Sequence, residues 1–238
     1  MPSALRLLLL LGCSGCQLGF PLEGYDEGEK SASLGCGDAF LCDDFESGVD
    51  ASRWAADLTA GSSVQIDESR VHRGKASIHA VVVNAGDESR AQLNHEEVLP
   101  SSAWVRLFAW VEPATVDDLV ISVAMRGADP FDGMNLRVTP TRSISVTNWA
   151  AEPDENFDGT LSLPANEWVC VEWGIDGTLG QVTVEQNGVS SVSSSSTTFA
   201  PANWFQIGAL LTSPSPSDAG EVWIDDVIVD DQPVGCER

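Results

Sequence analysis

The chain has 238 residues, 43% of them apolar, and carries 36 acidic against 12 basic residues, for a formal charge of −24. That length accommodates one large domain with a buried core plus short appended segments. The charge excludes nucleic acid as a partner, because such a field repels a phosphate backbone; it suits a soluble surface protein or one that collects divalent cations.

The N-terminus, MPSALRLLLLLGCSGC, has one positive residue, Arg6, then a Leu run and Leu10-Leu11-Gly12-Cys13. Residues 1–12 read as a secretory signal peptide ending in a bacterial lipobox, with Cys13 lipidated. Ser14 resembles the residue choice that lets bacterial lipoproteins proceed to the outer membrane. The apolar run is too short to span a bilayer. Residues 13–38, with Gly, Ser, Glu and Asp and few apolar residues, read as a flexible tether that holds the domain, residues 39–238, away from the membrane. The sole tyrosine, Tyr25, falls in the tether, which argues against a Tyr base inside the domain.

Within the domain, period-2 alternation and closely spaced turn residues predict an all-β, two-sheet sandwich. Residues 89–98, 103–111, 119–125, 134–139, 143–149 and 203–211 qualify as strands, and no stretch sustains a helical period. Residues 166–188 form the clearest unit. A β-branched and aromatic run from Trp168 to Trp173 leads to the Asp176-Gly177 turn signal, Gln181 to Gln186 alternate polar residues with Val, and Asn187-Gly188 turns again. Residues 190–198 read as a loop or an exposed edge strand, and residues 212–220 as a Pro/Ser loop.

That hairpin resembles the W-x-x-V-x-x-x-D … V-x-V-x-x-N-G hairpin of laminin-G and concanavalin A-like lectin domains. Phe40-Leu-Cys-Asp-Asp-Phe-Glu-Ser-Gly48 with Trp54 resembles the opening of carbohydrate-binding jelly rolls, residues 71–83 resemble their next hairpin, and Val222-Trp-Ile-Asp-Asp-Val-Ile-Val229 resembles their final strand. The resemblance implies a two-sheet antiparallel jelly-roll sandwich of the concanavalin A-like kind, with first and last strands adjacent. In an oxidising compartment Cys36, Cys42, Cys170 and Cys236 allow three disulfide connectivities. If the strand around Asp44 pairs antiparallel with that around Val227, the register brings Cys36 near Cys236 and leaves Cys42 with Cys170.

Alternation places Arg90, Gln92, Asn94 and Glu96 on one side of their strand. It sets Trp104, Arg106, Phe108 and Trp110 opposite the aliphatic Val105, Leu107, Ala109 and Val111, which read as core. Asn135 and Arg137 share a face of residues 134–139. Planar donors beside an aromatic plate are the chemistry of sugar recognition, so Arg90, Gln92, Arg106, Trp110 and Arg137 are the expected ligand-binding residues, with a polysaccharide or cell-envelope glycan as partner. The plainer reading is that these arginines neutralise neighbouring carboxylates and that Phe108 and Trp110 belong to the core.

Two constellations suggest calcium. Asp154-x-Asn156-x-Asp158-Gly159 has the spacing of the front half of an EF-hand-type loop, but the back half fails, with Ala165 at the twelfth position, and an acidic hairpin loop is the better account of the pattern. The jelly-roll resemblance implies instead a structural calcium between first and last strands, held by Glu46 and Asp226 with Asp225 as alternate. Binding is the expected function. The alternatives are a polysaccharide lyase, in which Arg106 or Arg90 would neutralise a uronate and His95 would act as base, a glycoside hydrolase of the same fold, or a protein-binding adhesion module. His95 falls on the opposite strand face from Gln92, and the chain has no serine-nucleophile elbow, paired-His metal signature or phosphate loop. The oligomeric state is left open.

Overall fold

The computed structural model describes residues 36–86, 88–112, 119–127, 132–138, 142–196, 202–212 and 219–236. The signal peptide, Cys13, Thr139 and the tether up to residue 35 lie outside them. The described residues form strands β1 (Leu41–Asp43), β2 (Ala55–Leu58), β3 (Ser63–Asp67), β4 (Ser77–Val83), β5 (Glu88–His95), β6 (Ser102–Val111), β7 (Leu119–Arg126), β8 (Gly133–Val138), β9 (Ser143–Asn148), β10 (Glu155–Ser162), β11 (Trp168–Asp176), β12 (Gln181–Gln186), β13 (Val189–Ser195), β14 (Trp204–Thr212) and β15 (Ala219–Asp230). They build two antiparallel sheets. The eight-stranded sheet runs β13-β12-β11-β6-β15-β4-β3 with β1 added to β15, and the seven-stranded sheet runs β10-β9-β8-β7-β14-β5-β2. First and last strands do pair, with Cys42 opposite Ile228 and Asp43 opposite Val227.

Alternation explains why the sheets stack. On β6 the aliphatic set Val105, Leu107, Ala109 and Val111 turns inward, flanked by Val169, Val171 and Trp173 of β11; Ala91, Leu93, Ile144, Val146, Phe205, Ile207, Ala209 and Leu211 meet them from the other sheet. Each large apolar side chain buried in this way stabilises the fold by roughly 1.5–3 kcal/mol. The hairpin of β11 and β12 closes where expected, since the Asp176 carboxylate accepts the N–H groups of Thr178 and Leu179. Asn187 and Gly188, with φ of 50° and 75°, supply the left-handed pair that a two-residue hairpin loop needs.

Strands β2, β3 and β10 were not expected, and residues 189–195 settle as the edge strand β13. β2 is exposed along nearly all its length and so shows no apolar alternation.

The disulfide pairing differs from expectation. The bridges are Cys36–Cys42 and Cys170–Cys236, not Cys36–Cys236 and Cys42–Cys170. The β1/β15 pairing on which that expectation rested exists, but both ends of the chain leave its line. A turn closed by Ala39 N–H on the Cys36 carbonyl, at 2.8 Å, folds Cys36 back over Cys42. Past Asp230 the tail crosses to β11, where Glu172 Oε2 accepts the N–H groups of Val234 and Gly235 at 2.8 and 2.5 Å and delivers Cys236 to Cys170.

Candidate functional site

The outer face of the seven-stranded sheet is organised in rows. Asp57 of β2 stands opposite Gln92 of β5, which stands opposite Gly208 of β14; farther across, Arg137 of β8, Ser145 of β9 and Asp158 of β10 are in register. The neighbouring row crosses all seven strands as Ala55, Asn94, Gln206, Ala124, Asn135, Thr147 and Asn156. Hydrogen bonds run along both rows: Gln206 Nε2 donates to Asn94 Oδ1 at 2.8 Å, and Ser145 Oγ donates to Asp158 Oδ1 at 3.0 Å. Asn156 Oδ1 accepts from Thr147 Oγ1 at 2.9 Å and from Arg137 Nη2 at 3.1 Å. Gly208 and Ala124 lower the floor in the middle. Beside them Asn135 Oδ1 and Arg137 Nε are left without a hydrogen-bond partner among the described residues. Both atoms are themselves buried, so a ligand lying on the face would first meet the Arg137, Asn156 and Thr147 group, whose hydrogen bonds lie at the surface and can exchange for hydroxyl or carboxylate groups. Arg90 lies on this sheet too but is committed to acids, with Nε 2.7 Å from Glu88 Oε1 and Nη1 3.9 Å from Asp57 Oδ2.

Arg106 and Trp110 are not part of this face. Both sit on β6, on the outer side of the other sheet, because alternation tells which residues share a strand face but not which sheet the strand joins. Arg106 is 0% exposed, and none of its three guanidinium nitrogens finds a hydrogen-bond partner among the described residues. Burial holds its pKa below the usual arginine range, aided by Arg73, while the charges of Asp226, Glu172 and Asp225 oppose the shift. Around it Asp225 Oδ2 accepts the backbone N–H of His72 at 2.9 Å and of Arg73 at 3.3 Å, and His72 Nδ1 lies 2.6 Å from Asp226 Oδ2. The His72 ring stacks on Phe108 with centroids 3.5 Å apart. Burial and the neighbouring Asp226 charge push Asp225 up to about 7, against the backbone N–H groups that favour its ionised form. Trp110 is likewise occupied, with the Arg70 guanidinium over its ring at 4.8 Å and over Trp223 at 3.8 Å.

His95, the candidate base, turns into the sandwich. It is 9% exposed, its Nδ1 lies 3.0 Å from the Arg53 carbonyl and its Nε2 3.2 Å from Glu97, and its ring packs against Trp54 and Phe40. That orientation removes it from the face that holds Gln92.

Asn156 and Asp158 do not lie on the loop that an EF-hand-type spacing implies. Residues 155–162 are the extended strand β10, in which Asn156 and Asp158 are consecutive outward positions roughly 7 Å apart, engaged by Thr147, Arg137 and Ser145. The same D-x-N-x-D spacing serves a loop or a strand face, and here the strand forms. Glu46 and Asp226 do converge on one segment, residues 70–76: Glu46 Oε1 accepts the N–H groups of Lys75 and Ala76 at 2.7 and 3.1 Å, while Asp226 meets His72. Gly74, at φ +69°, presses against the Glu46 carboxylate so closely that a Cβ would collide with it. Among the described residues no group of three or more His, Cys, Asp or Glu side chains is poised to hold a metal ion. Any cation between these strands would need backbone oxygens of the loop to complete its shell.

Sequence reading missed Asn135, Thr147, Asn156 and Gln206 as members of one face. Their outward alternation was visible in the sequence, but the pairing that aligns four separate strands was not.

The two antiparallel sheets, with one polar outer face and core-directed aliphatic sets, define a concanavalin A-like jelly-roll sandwich. The Cip1-like core domain of the polysaccharide-lyase-like family matches residues 44–232, and the chain belongs to this family. No curated protein matches the sequence. Among solved structures, the cellulose-induced protein Cip1 is similar with a TM-score of 0.68 at 19% identity, over 82% of this chain and 99% of that one. The endo-β-1,4-glucuronan lyase from the fungus Trichoderma reesei follows with 0.64 at 9% identity, over 81% and 95%. The binding domain of botulinum neurotoxin DC in complex with SialylT gives 0.58 at 11% identity, over 82% and 48%. At these identities the likeness is one of fold.

Proposed function

We propose that this domain binds a polysaccharide, a cell-envelope glycan or another acidic or neutral chain, on the outer face of the seven-stranded sheet. The observation that carries the reading is the polar row crossing all seven strands beside Arg137 and Gln92, with the hydrogen-bonded Arg137, Asn156 and Thr147 group exposed toward one edge. Binding is preferred to lyase chemistry because His95 is turned inward and Tyr25, the one tyrosine, precedes the family-matched residues 44–232 in the sequence. The test is retention of the purified chain in gels containing neutral or acidic polysaccharides, with unsaturated products followed by absorbance. Retention without product, lost in Arg137→Ala, is the expected result; product formation would move the reading to a lyase, and no retention on any polymer would leave a protein partner.

In this reading the chain is exported and anchored through Cys13 to the cell envelope, at the outer membrane where there is one. The two disulfides suit such an oxidising compartment. Cys13→Ser should shift the protein from membrane to soluble fractions. A structural calcium held by Glu46, Asp226 and loop oxygens completes the proposal: calcium should raise the Tm and chelator should lower it, with the difference abolished in Glu46→Gln. An unchanged Tm would remove calcium from the account.

A further inference from the structure

Two indoles share one end of the polar face. Trp204 opens β14 and is 38% exposed. Its row continues through the backbone of Arg126 on β7 and Gly133 on β8 to Trp149, whose N–H donates to the Gly133 carbonyl at 3.0 Å. Alternation sends Trp204 to the same side as Gln206 and Trp149 to the same side as Thr147, opposite the buried Phe205 and Asn148. The Trp149 ring lies across Gly133, where a Cβ would come within 2.6 Å of its benzene edge. Glycine is required there so that the indole can rest against the sheet.

The row of Asn94, Gln206, Asn135, Thr147 and Asn156 lies one two-residue step along the strands, roughly 7 Å from these indoles. Three strand spacings separate the Trp149 and Trp204 backbones by roughly 14 Å, and Trp149 leans one strand toward its counterpart. An apolar plane beside amides and hydroxyls matches a ligand with one C–H face and a polar edge, which is a pyranose ring. Because an indole responds to the ring and not to a carboxylate, its contribution is the same for neutral and acidic chains.

We propose that Trp149, seated on Gly133, and Trp204 form a stacking subsite for pyranose rings at this end of the face, reading the sugar ring independently of its charge. The proposal rests on the glycan-binding reading above and adds a place and a selectivity to it. The experiment is affinity electrophoresis of the whole chain in hydroxyethyl cellulose and in polyglucuronate, comparing wild type with Trp149→Ala, Trp204→Ala and Arg137→Ala, with the Tm of each variant recorded. On every polymer that retains the wild type, each Trp variant should lose about tenfold in affinity, whereas Arg137→Ala should weaken binding to polyglucuronate more than to hydroxyethyl cellulose. Should Trp149→Ala lower the Tm, the exposed Trp204 and the variant Trp149→Phe carry the test. If both Trp variants bind as wild type while Arg137→Ala does not, the subsite is wrong and the face is right. If the wild type binds neither polymer, nor any other in the panel, the glycan reading fails and this proposal with it.

Discussion

On the seven-stranded sheet, Arg137 reaches Asn156 with one nitrogen and keeps another unpaired beside a half-buried amide row. On the eight-stranded sheet, Arg106 also points away from the core of the sandwich, yet it is 0% exposed and surrounded by Glu172, Asp225, Asp226 and Arg73. The difference lies in two segments of the chain itself. Residues 70–76 are held by Glu46 and Asp225, and residues 233–236 are held by Glu172 and the Cys170–Cys236 bridge. Together they close over the outer face of β6, while no comparable strap among the described residues hydrogen-bonds to the Arg137 row. Arg106 is therefore enclosed by its own chain, whereas Arg137 keeps an exposed edge where it meets Asn156.

The strongest way to break this comparison is to remove each arginine. Arg106→Ala removes the buried cation packed among Glu172, Asp225 and Asp226, of which Asp226 keeps His72 and Arg73 as partners, and should cost about 3–5 kcal/mol, read by chemical denaturation, while the folded fraction keeps its polysaccharide retention. Arg137→Ala should cost about 1 kcal/mol or less and lose retention. Equal stabilities for the two variants would mean that Arg106 is not sealed. The straps offer the next largest effect. Loop-closure entropy predicts about 4 kcal/mol for the Cys170–Cys236 bridge, with a sequence separation of 66, and about 2 kcal/mol for Cys36–Cys42, with a separation of 6. Paired Cys→Ser variants should reproduce that order in denaturant midpoint.

How much of this was legible depends on the range of the interaction. The inward set of β6 and the hairpin of β11 and β12 follow from alternation and turn residues within a dozen positions, and both were readable. The opening and closing motifs around Phe45 and Asp225 carried the β1/β15 pairing. The disulfides were not readable, because a short turn at residues 36–39 and a tail captured by Glu172 decide them, and a carboxylate's taste for distant N–H groups leaves no periodic trace. Arg106 and Arg90 looked like partners for the same reason: a strand's face is local information, its sheet is not. Asp158 looked like a calcium ligand because a period of two is common to strands and to alternate-ligand loops.

Proton linkage separates the faces further. Asp225 titrates at about 7 in the folded chain against 3.8 for an ordinary Asp, so the folded state binds the extra proton between those values. Stability contributed by the neutral acid is present below pH 4, declines as pH rises toward 7 and is flat above, at roughly 1.4 kcal/mol per unit of pKa separation. Asp225→Asn keeps an acceptor for the His72 and Arg73 N–H groups but cannot ionise. Its Tm relative to wild type should rise across pH 4–7, the groups facing it being Asp226, His72, Arg73 and Arg106. A difference independent of pH would place the titration elsewhere.

The smallest expected effect is the most direct test of what the open face is for. Asn156 accepts from both Thr147 and Arg137, so Asn156→Ala removes two hydrogen bonds at an exposed position, and water can replace them; the cost should be about 1 kcal/mol or less. Retention should nonetheless fall, because Arg137 loses the neighbour that fixes its plane. Asn156→Asp restores the acceptor and adds a negative charge, so it should recover binding to a neutral polymer and weaken binding to an acidic one. The amide–acid exchange that changes pH-dependent stability at Asp225 would then change only selectivity at Asn156, because one site is closed by its own chain and the other is open to a ligand.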